Sequence, residues 1–196
     1  MLKLEGAATG AGAQSTPYRR VLVISGSPTI PSKTALLADM VAARLCAEET
    51  CVEHLRLLDL PAEDLVAMRV DRGPVAQAIT AVSRADGLVI ATPTFKASFS
   101  GLTKLFLDLL PQFGLAGKAV LPLATGGSLA HVLALDYALR PVLQCMGARC
   151  VVPSFYVTTD AFMGEERGLS HKFETGLADV LCAFREAMGL PAKLQA

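Results

Sequence analysis

Charge of either sign is scarce in this sequence. Eighteen Lys and Arg balance eighteen Asp and Glu, together 18% of 196 residues, so the formal net charge is zero. A neutral chain offers no basic footprint for nucleic acid and no polyacidic carrier surface. Long apolar runs are lacking too. Mean hydropathy is +0.45, yet the longest uncharged stretch, Ala119 to Leu135, is broken by Pro122, Thr125, Gly126, Gly127, Ser128 and His131. A membrane span needs about 18–20 uninterrupted apolar residues, and none is present. Cysteine is sparse: Cys46, Cys51, Cys145, Cys150 and Cys182 are an odd count at spacings that match no metal template. They read as small core residues in a reducing compartment, which makes the cytoplasm the expected location. Apolar residues at 52% exclude a disordered chain, and the length suits one large core.

Met1 to Pro17 is rich in Ala, Gly, Ser and Thr, shows no period and lacks the apolar segment of a signal peptide. It reads as a disordered tail ahead of one domain over residues 18–190. From Arg20 onward two textures alternate. Strands are expected at Arg20–Ile24, Val52–Leu57, Gly87–Thr92, Ala119–Ala124 (interrupted by Pro122) and Arg149–Val152. Helices are expected at Thr34–Glu48, Pro74–Arg84, Ser100–Leu110, Leu129–Met146 and His171–Met188, with a helical turn within Pro61–Met68. Such alternation predicts an α/β fold: a doubly wound, five-stranded parallel sheet in three layers, order 2-1-3-4-5.

In that topology ligands bind beyond the carboxyl ends of the strands, where the winding reverses. The loops there are the most unusual in the sequence. Ser25 to Thr34 gathers five hydroxyls around one glycine and two prolines just before a helix. Hydroxyls, backbone N–H groups and a helix N-terminus together suit a phosphate, with Lys33 as a cation. The plain alternative is turn and capping chemistry, Ser32 being an N-cap. A Walker loop fails because Ser32 stands where glycine should precede Lys33, and a dinucleotide fingerprint fails for want of glycines. A terminal monophosphate remains, as in FMN. The second loop, Thr92 to Ser98, offers Phe95 as an aromatic face, Pro93 to shape the turn, and N–H groups near Phe95 and Lys96. Its plain alternative is a plug over the core. The third, Thr125-Gly126-Gly127-Ser128, lets a flat ligand approach the backbone; an ordinary strand–helix turn reads equally well.

These residues resemble a known family. Ser25 to Thr34, Thr92 to Lys96, Ser100 to Lys104, Leu107 to Pro111, Leu121 to Gly127, Ala130-His131 and Asp136 to Pro141 follow the pattern of the NADPH-dependent FMN reductases with a flavodoxin-like fold. Within these, the chain is similar to the reductase component of two-component alkanesulfonate monooxygenase systems. The resemblance covers about Arg20 to Asp160. It implies reduction of FMN by NADPH or NADH, FMNH2 passing to a separate flavin-dependent monooxygenase that liberates sulfite, and a homodimer or homotetramer. Carried over by motif, Ser25, Ser27, Ser32, Lys33 and Thr34 would hold the phosphate. Pro93, Thr94, Phe95 and Lys96, with Thr125, Gly126 and Gly127, would line the isoalloxazine. Thr29 stands where many relatives carry arginine, which leaves Lys33 to supply the cation; Phe95 stands where tyrosine is frequent.

Hydride transfer between two cofactors needs no general base. The sequence shows no convincing Ser–His–Asp or Cys–His set, and His131 and Asp136 read as helix residues facing solvent or a subunit contact. Pro141 has no N–H for the Tyr137 carbonyl, so a kink or wide π-type turn is expected near Tyr137. The resemblance implies that Tyr137 sits in such a turn at a subunit interface and loosens flavin binding; a tyrosine packed at an ordinary kink is the alternative. Three rival functions stay open: a flavodoxin-type electron carrier, a quinone, azo or metal-ion reductase with bound FMN, and a nucleotide-binding module without catalysis. Absent tryptophan, 6% aromatics and zero net charge weigh against the carrier.

Overall fold

A computed structural model describes residues 18–47, 49–163 and 168–192. The expected tail at 1–17 lies outside the described residues. Strand β1 (Arg19–Ser25) buries its last five residues on both faces, as only an interior parallel strand does. Helix α1 (Lys33–Leu45) follows, then the edge strand β2 (Thr50–Arg56), the short α2 (Ala62–Val66) and α3 (Gly73–Arg84). Strand β3 (Gly87–Phe95) turns back into the two-residue β4 (Ser98–Phe99), and α4 (Gly101–Asp108) leads to β5 (Ala119–Gly126). After a π turn at Leu135–Leu139 come α5 (Arg140–Cys145), β6 (Cys150–Val151), β7 (Phe155–Thr158), the small β8 (Phe162–Met163) and β9 (Gly168–Leu169) pair, and α6 (His171–Ala187).

The parallel strands lie in the order β2-β1-β3-β5, with β6 and β7 successively along the far side of β5. This is the expected 2-1-3-4-5 order, its fifth strand in two pieces. On one face, α1 and α6 pack Leu37, Val41, Leu177, Leu181 and Phe184 against Val21, Val23, Val89, Leu121 and Leu123. On the other, α3, α4 and the π turn pack Val75, Val82, Phe106, Leu135 and Leu139 against Leu22, Ile24, Leu88 and Ile90. Each strand alternates its side chains between these two cores.

Four expectations are corrected. The strand expected at Arg149–Val152 is only β6, and the longer β7 was not foreseen because Pro153 and Ser154 interrupt the run. The single helix expected from Leu129 to Met146 is a 3-10 turn at Leu129–His131, the π turn, and α5. Leu129, Val132 and Leu133 are exposed, so this segment had no buried stripe to hold one continuous helix. Residues Pro93 to Phe95 continue β3 rather than forming a loop, because β4 pairs with them: Thr94 lies opposite Phe99 and Phe95 opposite Ser98. The cysteines are not core residues. Cys46, Cys145 and Cys150 are exposed, and Cys51 and Cys182 are half-buried. Among the described residues no helix is long and apolar enough to cross a membrane.

Candidate active site

Parallel register brings the three loops to one edge. Ser25 pairs with Ala91 across β1 and β3, and Pro93 pairs with Thr125 across β3 and β5. The carboxyl ends of the three central strands therefore finish side by side. In the first loop Ser27 is buried, and its Oγ lies 3.3 Å from Thr29 Oγ1 while accepting from the Thr29 N–H at 3.4 Å. Ser32 caps α1, its Oγ accepting from the Ala35 N–H at 3.0 Å. The first turn of α1 thus points its remaining N–H groups at the loop. Lys33 is exposed, with Nζ 4.9 Å from the centre of the Phe162 ring, a cation–π arrangement. Thr34 is buried, and its hydroxyl shares a 2.6 Å hydrogen bond with that of Thr125. That bond fastens the start of α1 to the end of β5, and the hydroxyl that accepts in it keeps its own hydrogen for another acceptor.

The second loop is a hairpin tip. Phe95, 47% exposed, presents its ring to solvent, and Lys96 and Ala97 form the two-residue turn with φ of +50° and +59°. Two successive left-handed residues match the twist of a tight hairpin, but here neither is glycine, so the tip stores strain. Pro93 is buried and Thr94 half-buried beneath it. In the third loop, Gly126 ends β5, where a Cβ would run into the Tyr156 hydroxyl, while Gly127 is exposed with open space around it.

A hydroxyl network ties the first two loops together. Ser100 caps α4, its Oγ accepting from the Thr103 N–H at 3.1 Å and donating to the Gly26 carbonyl at 2.6 Å. The Ser100 N–H donates to Thr92 Oγ1 at 2.9 Å, and Thr92 donates to the Pro93 carbonyl at 3.1 Å. Helix α4 comes so close that a Cβ at Gly26 would collide with Thr103 Oγ1, which accounts for glycine there. Ser100 and Thr103 had no role assigned from sequence. Their S-x-x-T spacing marks a cap, but the partner across the sheet shows only in the fold.

The structure also assembles a Ser–His–Asp chain that the sequence did not reveal. His54 Nε2 lies 3.1 Å from Ser25 Oγ, and Nδ1 lies 2.8 Å from Asp39 Oδ1. Arg56 completes it, donating to Asp39 Oδ2 at 3.0 Å. Ser25, Ser27, Thr29, Ser32, Asp39 and Arg56 border one cleft beside the first loop. His131, by contrast, is exposed and does not line that cleft.

The wide turn foreseen from Pro141 is present as the π turn, closed by the Arg140 N–H donating to the Leu135 carbonyl. Tyr137 projects from it, 78% exposed. Asp136 is anchored instead: it accepts from Ser154 Oγ at 2.7 Å and from Arg140 Nε at 2.9 Å, and these bonds hold its carboxyl below the usual range against the opposing effect of burial. It is tied into the structure by these two bonds.

The sequence profile of the family described as NADPH-dependent FMN reductase matches residues 19–162. The chain is 44% identical over 130 residues to an FMN reductase (NADPH) of Escherichia coli K12, covering 66% of this chain and 68% of the relative. It is 46% identical over 129 residues to an FMN reductase (NADPH) of Pseudomonas putida KT2440, covering 66% of each. The matched stretches thus span about two thirds of the length of these relatives. An apo crystal structure of the NADH:FMN oxidoreductase EmoB superposes with a TM-score of 0.81 at 43% identity, covering 89% of this chain and 91% of that one. With its strand order, converging loops and these likenesses, the chain belongs to the NADPH-dependent FMN reductase family, on a flavodoxin-like fold.

Proposed function

We propose that this chain reduces FMN with NADPH or NADH at the crevice between the three loops and releases the FMNH2 to a separate flavin-dependent monooxygenase, in the acquisition of sulfur from organosulfonates. The observation that carries this reading is the side-by-side ending of β1, β3 and β5, which places a hydroxyl-rich helix N-terminus next to a flat, glycine-lined ledge. The sulfonate setting rests on the motif resemblance alone, whereas NADH as an alternative donor is in keeping with the NADH-dependent FMN reductase SfnE of Pseudomonas putida, 37% identical over 137 residues.

The residues present fit FMN. Its phosphate matches the donor set of Ser27, Thr29, Ser32 and the first turn of α1, with Ser25 beneath; Lys33 stands close by, its charge shared with the Phe162 ring. Its ring matches the ledge of Pro93 to Lys96 and Thr125 to Gly127, where the open space at Gly127 lets a plane lie against the backbone. When bound, the flavin supplies the acceptor for the nicotinamide hydride, chemistry that belongs to the two cofactors. The protein's part is to orient and to stabilise charge. Backbone N–H groups at the hairpin tip and at Gly127 would be available to the polar edge of a bound ring, and the exposed Phe95 would cover one side of it. Thr34 and Thr125 contribute by locking α1 to β5, so that the phosphate seat and the ring ledge keep a fixed separation. Tyr137, at the tip of the π turn, meets another subunit and loosens the flavin.

Mixing the protein with NADPH and excess FMN, with no second protein present, tests the reading. Rapid loss of nicotinamide absorbance is expected, faster with FMN than with a quinone in its place. Nicotinamide absorbance that does not fall would assign an electron carrier, which does not react with NADPH, and a quinone preference would assign the other reductase class.

A further inference from the structure

The chain of hydrogen bonds Arg56–Asp39–His54–Ser25 has no place in the hydride transfer. Its order is that of a hydrolytic triad, but a triad also needs N–H groups aimed at a developing oxyanion. Beside Ser25, the Gly26 N–H is given to the Ala91 carbonyl at 2.8 Å. What the chain can do follows from where its hydrogens lie. The Asp39 carboxylate accepts only, so His54 Nδ1 carries a hydrogen. In the neutral ring Nε2 then has none, and Ser25 must spend its hydroxyl hydrogen on it. In the doubly protonated ring Nε2–H donates to Ser25 Oγ, and the hydroxyl hydrogen is free to turn to another acceptor.

The cleft can supply that acceptor. Ser25 is 3% exposed, and what it borders is the cleft it shares with Ser27, Thr29 and Ser32. The charged groups facing the ring are Asp39 from α1 and Arg56 from its own strand; Asp59 borders the same cleft, and β1 contributes Ser25. The loop itself is short of positive charge, because Thr29 is neutral and Lys33 is drawn over Phe162. A protonated His54 places a cation one hydroxyl away from the seat.

We infer that His54 is a positioning residue that takes up a proton from solvent when the FMN phosphate binds, turning the Ser25 hydroxyl into a donor toward that phosphate. The imidazolium is held between Asp39 and Ser25; the only covalent bond made is Nε2–H, its proton given up by solvent or buffer. The inference rests on the reading of the first loop as the phosphate seat.

Calorimetric titration of the full chain with FMN and with riboflavin, in buffers of different ionisation enthalpy, counts the protons. The wild type is expected to take up more protons with FMN than His54→Gln does, and the two to match with riboflavin. In turnover, His54→Gln should raise KM for FMN about tenfold, the loss of one charged hydrogen bond, with kcat little changed and the pH response of KM flattened. Should His54→Gln not fold, Asp39→Asn removes the charge that holds the imidazolium and should lose the same proton uptake. Equal proton counts for the wild type and either folded variant, in a protein that still prefers FMN to riboflavin, would overturn this inference alone. No preference for FMN over riboflavin in the wild type would overturn it together with the phosphate seat.

Discussion

Arg140 Nη2 donates to the Val152 carbonyl at 3.0 Å, taking an acceptor that Pro122 has no N–H to reach. The Val152 N–H donates to the Val120 carbonyl at 3.0 Å, and in a parallel ladder the next rung runs from the N–H of residue 122 back to Val152. Proline leaves that rung unmade. Here β6 stops and β7 begins only at Phe155, opposite Leu123. Arg140 fills the gap, bonding the Val151 carbonyl at 2.7 Å and Ser154 Oγ at 3.0 Å as well. A proline is thus tolerated in an inner strand because an arginine on the next helix donates in its stead.

Arg140→Ala should therefore cost about 2–3 kcal/mol, leaving two carbonyls without partners. Pro122→Val supplies the missing N–H and should return about 1 kcal/mol of that loss in the double variant. Urea unfolding of both single variants and the pair measures the coupling; strictly additive effects would contradict the substitution of donor for donor.

Thr34 and Thr125 form a second testable pair. Either single change to valine strands a buried hydroxyl and should lower stability by about 1–2 kcal/mol, whereas the double valine variant should lose less than the sum. Denaturant midpoints for the three variants decide it.

The hairpin tip should respond in the opposite sense. Ala97 holds φ at +59°, where a Cβ is strained, so Ala97→Gly should raise stability by up to about 1 kcal/mol and Ala97→Val lower it. Thermal unfolding reads both. A loss with glycine would mean that the tip is not under strain.

Asp136 gives an acid-side prediction. Its folded carboxyl lies below the ordinary value of 3.8, held there first by Ser154 and then by Arg140. A carboxyl depressed in the folded state binds fewer protons there than in the unfolded chain. It therefore stabilises fully above the unfolded value, and that contribution is lost as pH falls through the folded one. Asp136→Asn should flatten the decline in stability below about pH 4, as seen by chemical unfolding at successive pH values.

Tyr137→Ala should purify with more flavin, turn over free FMN more slowly and sediment differently from the wild type. Unchanged flavin content, rate and sedimentation would remove the assignment of Tyr137 to an interface.

What could be read from the sequence divides along a physical line. Val21 to Ile24 and Leu88 to Ala91 announced inner strands because burial on both faces demands unbroken apolar runs. The three loops stood out because strand ends rich in hydroxyls or glycine are unusual, and Pro141 marked the wide turn through the one N–H it lacks. The divided fifth strand was hidden, since its break is set by Pro122 some thirty residues earlier and by Arg140. The Ser25–His54–Asp39 chain was hidden for the same reason. Its members lie 29 and 15 residues apart, joined only by the register of β1 with β2 and the packing of α1 across them.

The π turn is rooted on both sides, by Asp136 and by Arg140, while Tyr137 stands free between the roots. A surface that covers Tyr137 would meet a knuckle whose shape is settled beforehand. Little chain freedom would be surrendered on contact, so the pace of such docking would follow collision and alignment rather than a folding event.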